Sequence, residues 1–148
     1  MGKSEYIQYD LLKLTEGSNE LTIPNGYFNG ENIASFKIYN SGVIKRIVIG
    51  DYCFENVRVF ELDELSELES VVIGWWSFRI SDKERNDGFY RIANCPKLKS
   101  IEIGYDSFRD YHSFELSNLP SLQSIDIGKY CFNWAPSFSL TGLIDGLV

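Results

Sequence analysis

The chain has 148 residues, with 14 Lys and Arg against 21 Asp and Glu, a formal net charge of −7. That length makes one domain with room for a real core, and 44% hydrophobic with 24% charged residues excludes a wholly disordered chain. The acidic balance argues against a nucleic-acid partner, whose phosphates need a basic face, and no apolar run approaches the roughly 20 residues that span a bilayer.

Taken in chain order, residues 1–18 carry no secretory apolar stretch and are expected as an N-terminal cap or partial repeat. A repeat then organises residues 19–143. NELTIPNGYF (19–28) is a worn first copy of KRIVIGDYCF (45–54), ESVVIGWWSF (69–78), KSIEIGYDSF (99–108) and QSIDIGKYCF (123–132). Between these lie FKIYNSGVI (36–44), FELDELSEL (60–68), YRIANCPKL (90–98) and FELSNLPSL (114–122), with FSLTGL (138–143) opening a fifth block. The closing phenylalanines Phe28, Phe54, Phe78, Phe108 and Phe132 are spaced 26, 24, 30 and 24 residues apart. Residues 144–148 are expected to begin an incomplete or uncapped repeat.

Each repeat holds two period-2 segments, Ile47-x-Ile49 and its copies, then Phe60-x-Leu62 and its copies, bounded by Gly, Asn or Pro. Such segments predict short strands. One repeat cannot bury its own Phe, Leu and Ile, whereas stacked copies make a continuous core. The expectation is a mainly β, right-handed solenoid of about five repeats of 24–30 residues. Its two parallel sheets would face each other across ladders of Phe and Leu, with no helix. The phenylalanines, with Phe36, Phe60, Tyr90, Phe114 and Phe138, are then core.

The joined pattern, F-x-L-x-x-L-x-x-L-x-x-I-x-I-G-x-x-S/C-F, resembles the leucine-rich repeat, and in particular the divergent, phenylalanine-containing repeats of microbial surface-antigen type. The likeness spans roughly residues 19–143. It departs from the family pattern because Gly50, Gly74, Gly104 and Gly128, rather than an asparagine, follow the strand. What the resemblance implies is a non-catalytic protein-interaction module whose outward in-strand positions line the ligand face. Those positions are Val48, Val72, Glu102 and Asp126, in a column with Thr22, alongside Arg46, Ser70, Ser100 and Ser124.

Catalytic parts are wanting. His112, the single histidine, falls in the turn before a strand and has no partnering nucleophile. The glycines are spaced one per repeat, not clustered as in a phosphate loop. Cys53 and Cys131 occupy the column of Ser77 and Ser107, and Cys95 that of Leu65 and Leu119. They are thus small core residues with no C-x-x-C metal spacing. Unpaired thiols favour a reducing, cytoplasmic compartment. Asp63 and Glu64 are expected to solubilise a surface segment. Neither cofactor nor metal is expected.

Three surface features exceed what the repeat requires. Tyr52, Trp75, Trp76, Tyr105 and Tyr130 follow the strand glycine, at outward positions shared with Asp51, Asp106 and Lys129. Tyr and Trp are enriched where binding energy concentrates. An insertion between Phe78 and Tyr90, residues 79–89, carries the charged Lys83, Glu84 and Arg85, and insertions in solenoids often mark the binding face. The outward column of the second strand reads Lys37, Glu61, Arg91, Glu115 and Ser139, an alternation of charge expected to fix register. A protein partner is the first expectation. A glycan held on the Trp75 and Trp76 rim is the second, and self-assembly through an open C-terminal end (Leu140, Leu143, Leu147, Val148) the third.

Overall fold

A computed structural model describes residues 19–80, 87–133, 135 and 137–143. Residues 1–18 and 144–148, with Leu147 and Val148, lie outside the described residues. Ten strands follow in order: β1 (Glu20–Ile23), β2 (Ser35–Tyr39), β3 (Arg46–Ile49), β4 (Val59–Asp63), β5 (Ser70–Ile73), β6 (Gly88–Ala93), β7 (Ser100–Ile103), β8 (Tyr111–Leu119), β9 (Ser124–Ile127) and β10 (Ser137–Leu143). The described residues contain no helix. Odd strands form one parallel sheet in the order β1-β3-β5-β7-β9, and even strands a second, β2-β4-β6-β8-β10. The chain alternates between the sheets, so an odd strand and the next even one make one coil of a five-coil β-solenoid.

Alternation sets what each strand buries. Leu21 and Ile23, Ile47 and Ile49, Val71 and Ile73, and Ile101 and Ile103 point inward from the first sheet. Phe36 and Ile38, Phe60 and Leu62, Tyr90 and Ile92, and Phe114 and Leu116 point inward from the second. Ile44, Leu68, Leu98 and Leu122 fill the return between sheets. Register is kept from coil to coil: Ile47 pairs with Val71 and Phe60 with Tyr90. The single irregularity in the pairings lies between Gly88 and Phe89. There a Cβ on Gly88 would come within 2.6 Å of the Tyr111 ring.

Two aromatic ladders run along the axis. Phe28, Phe54, Phe78, Phe108 and Phe132 stack with centroids 5.2, 4.9, 4.6 and 5.4 Å apart and planes within 15° of parallel. Phe36, Phe60, Tyr90 and Phe114 stack at 5.2, 4.8 and 4.9 Å. The ladders meet edge to face, as in Phe60–Phe78 at 5.2 Å and 86° and Tyr90–Phe108 at 5.0 Å and 85°. Edge-to-face and offset pairs each contribute about 0.5–1.5 kcal/mol beyond the area they bury.

The corners have a common device that residue type does not announce. Left-handed φ recurs at three positions in every coil. The first is Gly26, Tyr52, Trp76, Asp106 and Tyr130; the second is Phe28, Phe54, Phe78, Phe108 and Phe132. The third is Asn40, Glu64, Asn94, Asn118 and Gly142. For a residue other than glycine this costs about 1–2 kcal/mol. Burial of a phenylalanine side chain, about 1.5–3 kcal/mol, offsets that cost in the second column. The strand glycines serve a different end. A Cβ on Gly74 would lie 2.7 Å from the Gly50 carbonyl carbon, and one on Gly104 2.7 Å from Gly74, so successive coils touch backbone to backbone there.

Two polar columns tie the coils together. Ser77 Oγ donates to Gly50 O at 2.7 Å and accepts from Cys53 N at 3.1 Å. Ser107 Oγ donates to Gly74 O at 2.7 Å and accepts from Ser77 N at 3.0 Å. Cys53 Sγ and Cys131 Sγ continue this spine to Pro24 O and Gly104 O, each at 3.1 Å. The cysteines are therefore bonding members of the column as well as small core residues. An asparagine ladder stands after the second strand, whereas glycines follow the first. Asn118 Nδ2 donates to Asn94 Oδ1 at 2.8 Å, and Asn94 Nδ2 to Asp63 Oδ1 at 2.9 Å. Two expectations are corrected. His112 lies inside β8, on its exposed side, because that strand begins two residues early at Tyr111. Ile80, counted with the insertion, is 4% exposed and belongs to the core.

Two buried tyrosines make opposite use of their hydroxyls. Tyr111 Oη donates to Val57 O at 2.6 Å, while Tyr90 Oη has no hydrogen-bond partner among the described residues. Burial pushes the ionisation of both phenols far above the ordinary range. Tyr90→Phe should therefore raise stability by about 1 kcal/mol, and Tyr111→Phe should lower it by about 1–2 kcal/mol. Denaturant midpoints of the two variants will show whether the same substitution changes sign.

Candidate binding surface at the aromatic corner

Three surfaces come forward from the sequence, and the structure treats them differently. Lys83, Glu84 and Arg85 lie outside the described residues. The outward positions of the first sheet do form one row: Thr22, Val48, Val72, Glu102 and Asp126 pair in register. Arg46 stands in the neighbouring row above Ser70, Ser100 and Ser124, with its Nε 3.9 Å from Glu20. This face is flat and short in the chain direction, because each strand has only four residues.

The aromatic corner has more relief. Tyr52, Trp76 and Tyr130 occupy the left-handed column, and Trp75 and Tyr105 the column before it, so the five form a zigzag across two columns. Tyr52 and Trp76 lie nearly parallel, 6.1 Å apart at 10°. Trp76 meets Tyr105 at 5.7 Å, Trp75 meets Tyr105 at 6.2 Å, and Tyr105 meets Tyr130 at 5.4 Å. Tyr52, Trp75 and Tyr130 are 59%, 60% and 51% exposed, so half or more of each ring faces water. Asp51 supports the corner by accepting the Trp75 N–H at Oδ1, 2.7 Å away, as Asn25 Oδ1 does for Asp51 N at 2.7 Å.

Asp106 does not share that outward position. It is 2% exposed, with Arg79 Nε 3.8 Å and Arg109 Nε 3.7 Å from its carboxylate. The Arg79 guanidinium in turn lies 4.6 Å from the Trp76 ring centre. A carboxylate buried between two guanidiniums thus takes the place an aromatic ring holds in three of the other four coils.

Beside this corner opens a cavity of about 450 Å³ lined by Asn29, Tyr52, Glu55, Trp76, Arg79, Ile80 and Asp110. Asn29 is fixed as scaffold. Its Nδ2 donates to Tyr52 O at 2.8 Å and Gly26 O at 3.2 Å, and its Oδ1 accepts from Glu55 N at 2.9 Å. Glu55 and Asp110 are the residues sequence reasoning missed. The signal that would have found Glu55 is position, because Asn29, Glu55, Arg79 and Arg109 each follow a ladder phenylalanine directly, with Asp110 one residue further on.

The second sheet's outer face carries an ion-pair network centred on Arg91. Lys37, Glu61, Arg91, Glu115 and Ser139 stand in register as expected. Asp63 is no mere solubilising charge, however, because Arg91 Nη1 bonds it at 2.8 Å, closer than Glu61 at 3.8 Å or Glu115 at 3.6 Å. Glu61 also accepts from Tyr39 Oη. On the last strand described, Leu140 is exposed, and so is Phe138, which the repeat places in the core: no further described coil covers it.

Burial pushes the thiols of Cys95 and Cys131 up to about 11, away from the range of reactive cysteines. Among the described residues no three His, Cys, Asp or Glu side chains converge on a metal position. Nor is any helix there long and apolar enough to cross a membrane. No protein-family model, curated protein or solved structure matches the chain.

Burial disfavours the charged form of Asp63, but hydrogen bonds from Arg91 and Asn94 outweigh it and hold its carboxyl below the usual range. With its folded value depressed, its contribution is complete above the unfolded value of roughly 3.9 and is lost as pH falls through the lower folded one. Asp63→Asn should therefore flatten the decline in stability between about pH 5 and pH 2. Thermal midpoints measured across that range, with wild type alongside, provide the check.

Proposed function

We propose that this chain is a non-catalytic binding module, built from divergent leucine-rich repeats of surface-antigen type, that captures a protein partner on its aromatic corner. The observation that carries this reading is the continuous run of Tyr52, Trp75, Trp76, Tyr105 and Tyr130, in which Tyr52, Trp75 and Tyr130 are widely exposed and Trp76 and Tyr105 half-buried, held on the stacked coils beside a cavity. Rings fixed in advance lose little freedom on binding, which is why Tyr and Trp dominate the energetics of interfaces. The repeat assignment is supported by the columns of Leu65 and Leu68, Cys95 and Leu98, and Leu119 and Leu122, all fully buried. The first-sheet row of Val48, Val72, Glu102 and Asp126 adjoins the corner through the strand glycines and serves as flanking surface.

A glycan reading draws support from the near-parallel Tyr52 and Trp76 rings at the cavity. The two readings separate experimentally. Trp75→Ala and Tyr130→Ala should each weaken protein capture by about 2 kcal/mol, roughly thirtyfold, while leaving the unfolding midpoint within about 0.5 kcal/mol of wild type. Binding of oligosaccharides from a broad panel, lost in Tyr52→Ala with protein capture unchanged, would favour the glycan.

A further inference from the structure

We propose that the cavity beside Tyr52 receives a cationic side chain, in the first place an arginine guanidinium, from a basic segment of the partner. This rests on the reading of the aromatic corner as the binding surface. The molecule already contains the arrangement once. Arg79 lies 4.6 Å from the Trp76 ring centre with the Asp106 carboxylate 3.8 Å from its Nε, a cation held between a ring and a carboxylate. One coil earlier Tyr52 stands in the place of Trp76 and Glu55 in the place of Arg79, so the position that holds the cation here holds a carboxylate there, beside a ring. Gly26 precedes Tyr52 in the left-handed column, where a Cβ would meet nothing within 4 Å. The rung above the Tyr52 ring is therefore open on that side.

The polar groups left to a ligand point the same way. The Asn29 side chain is committed at both ends to Gly26, Tyr52 and Glu55, and Arg79 is held on Trp76. The remaining charged groups lining the cavity are the Glu55 and Asp110 carboxylates, and among the described residues neither enters an ion pair. Carboxylates only accept hydrogen bonds, and a guanidinium offers five donors in a planar fork that also stacks on an aromatic ring. A sugar hydroxyl array would need donors from the protein as well. The formal charge of −7 favours approach of a basic partner.

Calorimetric titration of the full chain with acetylated tetra-arginine amide tests the proposal, with tetra-glutamate and a cello-oligosaccharide as comparisons. Tetra-arginine should bind, and Glu55→Gln or Asp110→Asn should each weaken it by about tenfold. Glu64→Gln and Glu69→Gln remove the same charge from exposed positions after the second strand and should change binding less than about twofold. Equal losses from Glu55→Gln and Glu69→Gln would mean general acidity and overturn the proposal. Oligosaccharide binding lost in Tyr52→Ala, without tetra-arginine binding, would overturn the cationic ligand and leave the aromatic corner as the surface. Failure of both probes, with protein capture indifferent to Trp75→Ala, would remove the corner itself. Unfolding midpoints of each variant separate these outcomes from misfolding.

Discussion

The edge-to-face engagement of two phenylalanine ladders is what every other feature leans on. One ladder belongs to the even strands and the other to the corners, and each ring of one is wedged against rings of the other. This sets the separation of the sheets and ties the rise of each coil to the spacing between parallel strands, about 4.8 Å. Ring stacking and backbone pairing thus demand nearly the same repeat distance. Because the two agree, four-residue strands suffice in the odd sheet, although strands that short would hold poorly alone.

Tight coils need sharp corners, and these are built from left-handed residues and from glycines that let backbones touch. A left-handed position constrains the backbone and leaves the side chain free to differ, as Tyr52, Trp76, Asp106 and Tyr130 do. The corner column is therefore both structurally strict and chemically variable, a good place to mount recognition groups. Where the column holds Asp106, the chain buries a charge between Arg79 and Arg109. Where it holds rings, it displays them.

The sheets, their parallel register and the ladder members are legible in the sequence, because Ile47, Val71 and Ile101, or Phe60, Tyr90 and Phe114, recur in column with one chemical character. The left-handed corners are not. Phe54 and Tyr52 are residue types that rarely adopt that backbone, so only the stack explains them. The cavity is legible by position alone, since Asn29, Glu55 and Arg79 each follow a ladder phenylalanine but change charge from coil to coil, which leaves hydrophobic periodicity nothing to hold. Asp63 misleads for a related reason. Its partners, Arg91 and Asn94, come from the next coil, about 30 residues away.

The direction of the inter-coil hydrogen bonds has a mechanical consequence. Strands run across the solenoid, so the bonds joining neighbouring coils point along its length. Tension between the two ends would load those bonds head-on and one row at a time, as in a zipper, and not all together in shear. Such a body yields axially in small successive steps, each releasing one coil and the rings stacked upon it. Against sideways bending it is stiffer, because bending compresses glycine backbones already in contact.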